Sequence, residues 1–132
     1  MLKDKEFTFY VLPPILWALA IFVGSSIPSE DFPDLKIFSY DKLLHFGAFL
    51  VLALLTYRAL RHQTRFPGLA RSPLLYTIVL VAAYGALDEI HQSLVPGRRP
   101  DLADFFADTL GAVFAVFLAH LWMKFRRGPV GR

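Results

Sequence analysis

Three short blocks of this chain hold the residue types that do chemistry. Lys42 and His45 stand three apart; Asp88-Glu89-Ile90-His91-Gln92 follows; then Asp101, Asp104 and Asp108 come at spacings i, i+3 and i+7, just after Arg98 and Arg99. On helices these spacings place the three aspartates on one stripe, Asp88 on a face with His91 and Gln92, and Lys42 above His45. Three chemistries fit. His45 and His91 with Asp88, Glu89 and Asp104 are N and O donors suited to a divalent metal such as Zn²⁺ or Mn²⁺, which would activate water in a hydrolase or transferase. Against that, no H-E-x-x-H spacing is present, and Glu89 and His91, two apart, splay around a helix. Metal-free acid–base work is the second chemistry, with Glu89 as base and His45 or His91 as its partner. It lacks a nucleophile, because the chain has no Cys and Ser93 reads as a helix-end hydroxyl. The third is a binding cavity in which Arg98 grips an anionic group bidentately above the acids.

These residues lie in a chain that is 55% hydrophobic, 15% aromatic and only 19% charged over 132 residues, with a mean hydropathy of +0.46. Soluble domains carry about 45–50% apolar and about 25% charged residues, so the composition is displaced toward a membrane protein. The length allows a single domain over 1–132, and the lack of Cys excludes disulfides and thiolate metal sites. A helix needs about 20 residues to cross about 30 Å of hydrocarbon. Four stretches meet that length, about 9–27, 41–60, 73–95 and 102–123. They predict an all-α, multi-pass bundle of four transmembrane helices. Pro13 and Pro14 fall near the start of the first, where proline costs least. Lys3 and Lys5 before that stretch resemble a signal peptide, but no A-x-A-like site follows, so the segment reads as a retained span. The loops are Pro28 to Tyr40, Arg61 to Ser72, and Pro96 to Asp101, and the aromatics Phe32, Phe38 and Tyr40 of the first suit an interfacial lid.

Charge sorts by side. Ten of the fourteen Lys and Arg fall at the termini and around the second loop, including Arg58, Arg61, Arg65 and Arg71. The positive-inside rule then predicts an N-in/C-in topology, in a cytoplasmic membrane whose anionic lipids meet that basic side. Nucleic acid is discarded as a partner, because the net charge is only +3 and the bases are spread over membrane-flanking segments. Nine of the eleven acids collect in the opposite half. Asp88 and Glu89 lie roughly 10 Å below the outer end of the third span, and Asp104 and Asp108 enter the fourth to roughly 4 and 10 Å. Spans two, three and four therefore bring polar ends to one depth and predict an outward-facing cavity between them. Beside the aspartates, Ala103, Ala107, Gly111, Ala115 and Ala119 form a small-xxx-small stripe for close helix packing within the chain or for a homodimer. The loop Val95-Pro96-Gly97-Arg98-Arg99-Pro100 is short and stiff, which predicts arginines hanging over the carboxylates. His62 and His120 lie outside the cluster, and Arg58 reads as a snorkelling cation.

Asp41-Lys42-Leu43-Leu44-His45-Phe46, Asp88-Glu89-Ile90-His91-Gln92-Ser93 with Val95-Pro96-Gly97-Arg98, and Asp104 with Asp108-Thr109-Leu110-Gly111 resemble the VanZ-like family of small bacterial membrane proteins. Phe22-Val23-Gly24-Ser25-Ser26-Ile27-Pro28 is similar to that family's first span. The resemblance implies a four-span bundle and a link to low-level teicoplanin resistance through the cell envelope, and it supplies no established reaction. It selects Lys42, His45, Asp88, Glu89, His91, Gln92, Arg98 and Asp104 as the matched set. Asp108 departs from it, since the family often carries Asn there, and so does Asp101. The expected partner is a membrane lipid, with a lipid-linked or glycopeptide-related head group as the ligand. Two other classes stand beside this one: a clamp in which the ion pairs only fasten helices, and a transporter, for which the inner halves of the spans supply few polar groups.

Overall fold

The computed structural model describes residues 2–28 and 38–126, with side chains over 4–28 and 41–126. Six α-helices follow in order: α1 (Leu2–Glu6), α2 (Leu12–Ser25), α3 (Phe38–His62), α4 (Pro67–Arg71), α5 (Pro73–Gln92) and α6 (Leu102–Arg126), and among the described residues there is no strand. Four segments are long and apolar enough to cross a membrane: Asp4–Ser25, Asp41–His62, Pro73–Gln92 and Leu102–Arg126. The expected all-α bundle of four membrane-spanning helices is therefore present. Residues 29–37 of the first loop, including Phe32 and the charges Glu30, Asp31, Asp34 and Lys36, lie outside the described residues, as do the side chains of Phe38 and Tyr40. That places the expected lid outside them too.

The first span starts earlier than its apolar run. Proline was expected to mark a helix start, yet α1 passes into α2 through a π-helical turn, Phe7–Val11, in which the Leu12 N–H bonds to the Phe7 carbonyl. Pro13 and Pro14 cannot donate, and their rings crowd the carbonyls of Phe9 and Tyr10 four residues back. Widening the ladder at those carbonyls lets the helix continue through both prolines. A second difference is α4, a single turn inside the loop expected from Arg61 to Ser72. Gln63 orders the chain ahead of it, accepting from the Phe66 N–H at 2.8 Å and donating to the Phe66 carbonyl at 2.9 Å.

The core lies between α3, α5 and α6. Phe49, Leu52, Ala53, Val81, Ala112 and Ala115 are buried together there. The small-residue stripe is the reason α3 and α6 approach so closely. Ala107, Gly111, Ala115 and Ala119 are buried, and a Cβ at Gly111 would stand 2.4 Å from the Phe46 carbonyl oxygen and 3.0 Å from the Leu50 nitrogen. The stripe is thus spent on a contact within the chain; Ala103, at its N-terminal end, is exposed. The first span packs on the outside of this trio. Trp17 Nε1 donates to the Ala48 carbonyl at 2.9 Å, and Tyr84 donates its hydroxyl to the Ala18 carbonyl at 2.6 Å. Its outward side chains Ile15, Leu16, Leu19, Phe22 and Val23 are exposed, as are Leu87, Ile90, Leu110 and Phe117 on other spans. Such a mantle of large apolar groups is what hydrocarbon, not water, covers.

Candidate functional site

Span four enters the bundle through Asp101. Its side chain accepts the Ala103 N–H at 2.8 Å, capping α6, while its own N–H donates to Glu89 Oε2 at 2.9 Å. The reversal that delivers it is set by Gly97, whose φ of 75° suits a residue without a Cβ. Lys42, in the first turns of α3, then donates to Asp101 Oδ2 at 2.7 Å and to Asp104 Oδ1. One ammonium therefore ties span two to both acids at the start of α6. That ammonium also holds the Asp101 carboxyl below its ordinary value, helped by the Ala103 N–H.

One turn deeper, His45 Nδ1 lies 2.8 Å from Asp108 Oδ1, and its Nε2 is 3.8 Å from Asp104 Oδ2. Asp108 is fully buried. Room for it comes from Gly85 on α5, where a Cβ would sit 3.2 Å from Asp108 Oδ2. Asp88 and Glu89 close the group from α5. Gln92 donates to Asp88 Oδ2 at 3.0 Å, the i, i+4 contact its spacing allows. Two carboxylate oxygens here, Glu89 Oε1 and Asp108 Oδ2, are buried with no hydrogen-bond partner. Among the described residues two groups could hold a cation: His45, Asp88, Glu89 and Asp108, whose donor atoms all lie within 4.8 Å of one another, and Asp41, His45 and Asp104.

An open cavity of about 170 Å³ adjoins this cluster, but not between the spans that the sequence suggested. Its walls are Ile21, Gly24 and Ser25 of α2, Asp41, Leu44, His45, Ala48 and Phe49 of α3, Asp88 and Gln92 of α5, and Arg98. Span one supplies a wall, and span four stands behind, contributing Asp104 and Asp108 as partners of Lys42 and His45. The reason is the Gly111 contact: α6 lies too close to α3 to leave space between them.

Of the eight residues selected from the sequence, Lys42, His45, Asp88, Glu89, Gln92 and Asp104 converge as described. His91 turns away toward span one, with its Nε2 2.8 Å from Ser26 Oγ and its ring stacked on Phe22 at 4.3 Å. It therefore stands apart from both cation-holding groups, and the expected pairing of two histidines in one metal set gives way to His45 alone. Arg98 lines the cavity, and its guanidinium donates to the Ile27 carbonyl at 3.2 Å and the Gly24 carbonyl at 3.5 Å. It caps the C-terminal end of the first span and shares the cavity lining with Asp41 and Asp88. Asp101 and Asp108, set aside as departures from the family pattern, are central: one is the hub of the Lys42 and Glu89 bonds and the other the buried partner of His45. Their i, i+3, i+7 spacing with Asp104 was the signal for both. Ser26 has no such spacing; its signal was the similarity of Phe22–Pro28 to the family's first span, and its bond to His91 comes from the packing of span one. His62 lies at the other end of the bundle, exposed and stacked on Tyr10 at 4.3 Å, next to Arg58, which sits over the same ring at 4.9 Å. His120 is exposed.

No curated protein and no solved structure matches this chain. A family model described as VanZ/LLP1 matches residues 7–123, which takes in most of all four spans and every residue of the cluster. With the motif residues gathered at one end of a four-helix membrane bundle, the chain belongs to the VanZ/LLP1 family.

Proposed function

We propose that this protein resides in the bacterial cytoplasmic membrane, N-in/C-in, and holds the head group of a lipid-linked or glycopeptide-related envelope ligand in the cavity between spans one, two and three. The carrying observation is the lining of that cavity, which is polar on one part and apolar on another. Asp41, Asp88, Gln92 and Ser25 offer hydrogen-bond acceptors and donors for hydroxyl and amide groups, and Arg98 offers a cation for a phosphate. Ile21, Leu44, Ala48 and Phe49 offer a surface for an acyl or isoprenoid chain. A cavity open beside a lipid-facing helix suits an amphiphile that arrives from within the bilayer.

The test is to purify the full chain, extract its lipids and compare them by mass spectrometry with those carried by Arg98→Ala and Gln92→Ala. Enriched envelope lipids that fall several-fold in both variants support the reading; the same lipid profile in all three proteins removes it. Because the chain has no Cys, single thiols introduced at Arg99 and at Thr64, in loops at opposite ends of the bundle, report orientation cleanly. Labelling of position 99 from the cytoplasmic side would place the cavity in the wrong compartment. A matching phenotype is a raised teicoplanin tolerance on expression, lost with Arg98→Ala.

The buried His45–Asp108 pair beside Glu89 favours a second reading, a membrane-embedded hydrolase or transferase acting on the same ligand. Incubation with total envelope lipid separates the two. Product formation abolished by Glu89→Gln marks turnover, and unchanged lipid retained by the protein marks binding.

A further inference from the structure

We propose that His45, Asp88, Glu89 and Asp108 bind one divalent first-row metal ion, of the Mn²⁺ or Zn²⁺ class. The proposal concerns the cluster behind the cavity and holds whatever the ligand in the cavity is. Its first support is convergence. Four donors from three helices, one imidazole and three carboxylates, lie within 4.8 Å of one another. With metal–ligand bonds of about 2.1 Å, donor separations are about 3.4 Å around a tetrahedron and about 4.2 Å across an octahedron. Donors no more than 4.8 Å apart therefore reach coordination through side-chain movements of at most about 0.3 Å each for a pair across an octahedron and about 0.7 Å each for a tetrahedral pair.

The second support is independent of the charges. Buried polar atoms in folded proteins are nearly always hydrogen-bonded. Here Glu89 Oε1 and Asp108 Oδ2 are buried without a partner, in residues that are 9% and 0% exposed. In each case the other oxygen of the same carboxylate is held: Glu89 Oε2 by the Asp101 N–H and Asp108 Oδ1 by His45 Nδ1. Asp88 is likewise held at Oδ2 by Gln92. In Glu89, one oxygen fixed from outside the set and one left bare is the arrangement of a ligating carboxylate, whose orientation is set by its outer partner. His45 meets Asp108 through Nδ1 at 2.8 Å, so a cation held by both would replace the proton they share, and Nε2 stays on the side of Asp104 Oδ2, 3.8 Å away.

Third, the space is kept. Gly85 faces Asp108 Oδ2 at a point where any Cβ would crowd it at 3.2 Å and would also press on Phe49 at 3.3 Å. Charge agrees: three carboxylates surround one imidazole, while Lys42 is bonded to Asp101 and Asp104. A dication offsets that surplus where a buried carboxylate group otherwise stays costly. The single nitrogen among oxygens selects the first-row ions over Ca²⁺ and Mg²⁺, which prefer oxygen alone.

The experiment uses the full chain in detergent, stripped with EDTA, loaded with MnCl₂ and desalted, with metal counted by mass spectrometry and the Mn²⁺ examined by pulsed EPR. About one Mn²⁺ per chain, coupled to one imidazole nitrogen, is expected. Asp108→Asn and Glu89→Gln should each lower retained metal at least tenfold at the same free Mn²⁺, and Asp41→Asn should leave it unchanged. A folded wild-type protein that retains no Mn²⁺, Mn²⁺ without imidazole coupling, or retention that follows Asp41 instead of Asp108 would each overturn the site. The imidazole coupling is read on the wild type and so decides even where a variant does not fold. Lipids extracted from the same stripped and loaded samples show whether a failure belongs to the cation or to the head-group reading.

Discussion

Replacing Gly111 by Ala tests the packing that assembles the site. The added methyl would stand 2.4 Å from the Phe46 carbonyl oxygen, 3.0 Å from the Leu50 nitrogen and 3.2 Å from the Phe46 carbonyl carbon. All three are backbone atoms of α3, so no rotamer change relieves the contact. Bringing the first distance to even 3.0 Å requires α3 and α6 to separate by about 0.6 Å, and ordinary contact requires about 1 Å, in a core that resists small expansions. His45 and Asp108 lie within one turn of this contact. The same separation would stretch their 2.8 Å bond to about 3.4–3.8 Å, from the weak limit of a hydrogen bond to past it. Overpacking of this kind costs about 1–3 kcal/mol, which for a chain of this size lowers Tm by roughly 3–15 °C. Gly47→Ala is the control. It lies on α3, has nothing within 4 Å of its Cβ position, and should stabilise by a few tenths to about 1 kcal/mol through helix propensity. Both are measured by thermal unfolding in one detergent. A Gly111→Ala protein as stable as wild type, or a Gly47→Ala protein that falls as far, refutes the close α3–α6 seam.

Three further outcomes follow from named contacts. Lys42→Met leaves Asp104, whose side chain is 7% exposed, without its cation. It should cost roughly 2–3 kcal/mol, the low end for a buried pair because Lys42 itself keeps 19% exposure, and Lys42→Met with Asp104→Asn should recover most of the loss. Asp101, held below its ordinary pKa by Lys42, stabilises the protein above about pH 3.8 and loses that contribution as pH falls below it. Acid unfolding of Asp101→Asn should therefore be flatter than wild type in that window and parallel to it at neutral pH. Trp17→Phe and Tyr84→Phe each remove one bond that docks span one and should cost about 0.6–1 kcal/mol, with limited proteolysis showing earlier release of the N-terminal helix.

The spans were legible because 20 apolar residues in a row have one stable home, and the aspartate stripe was legible because helical spacing fixes a face. Which neighbour that face meets was not. The sequence shows Asp104 and Asp108 on one line, but only the depth of the Gly111 contact decides that Asp104 meets Lys42 while Asp108 meets His45. His91 was grouped with Asp88 by its i+3 spacing; the packing of Phe22 and Ser26 drew it the other way, and a helix turn of three residues is wide enough to allow both. Arg98 could not be placed from its loop, since the carbonyls it caps belong to a span 70 residues earlier. The π-helical turn was hidden for a related reason: proline announces a broken bond, while the chain's way of absorbing it depends on the residues behind.

The pairing of the second and fourth spans also has a history in time. Lys42 and Asp104 are 62 residues apart, and His45 and Asp108 are 63. At about 5–20 residues per second, a ribosome makes His45 several seconds before it makes the acid that will face it. A span two made alone leaves Lys42 and His45 without those acids, and such groups are costly to seat in hydrocarbon. Arrival of the last span supplies the acids. A chain cut short before Asp101 is thus not a smaller bundle but an unfinished one, with its cations stranded at the surface and the face of α3 around Phe46 and Leu50 uncovered for quality-control proteases to find.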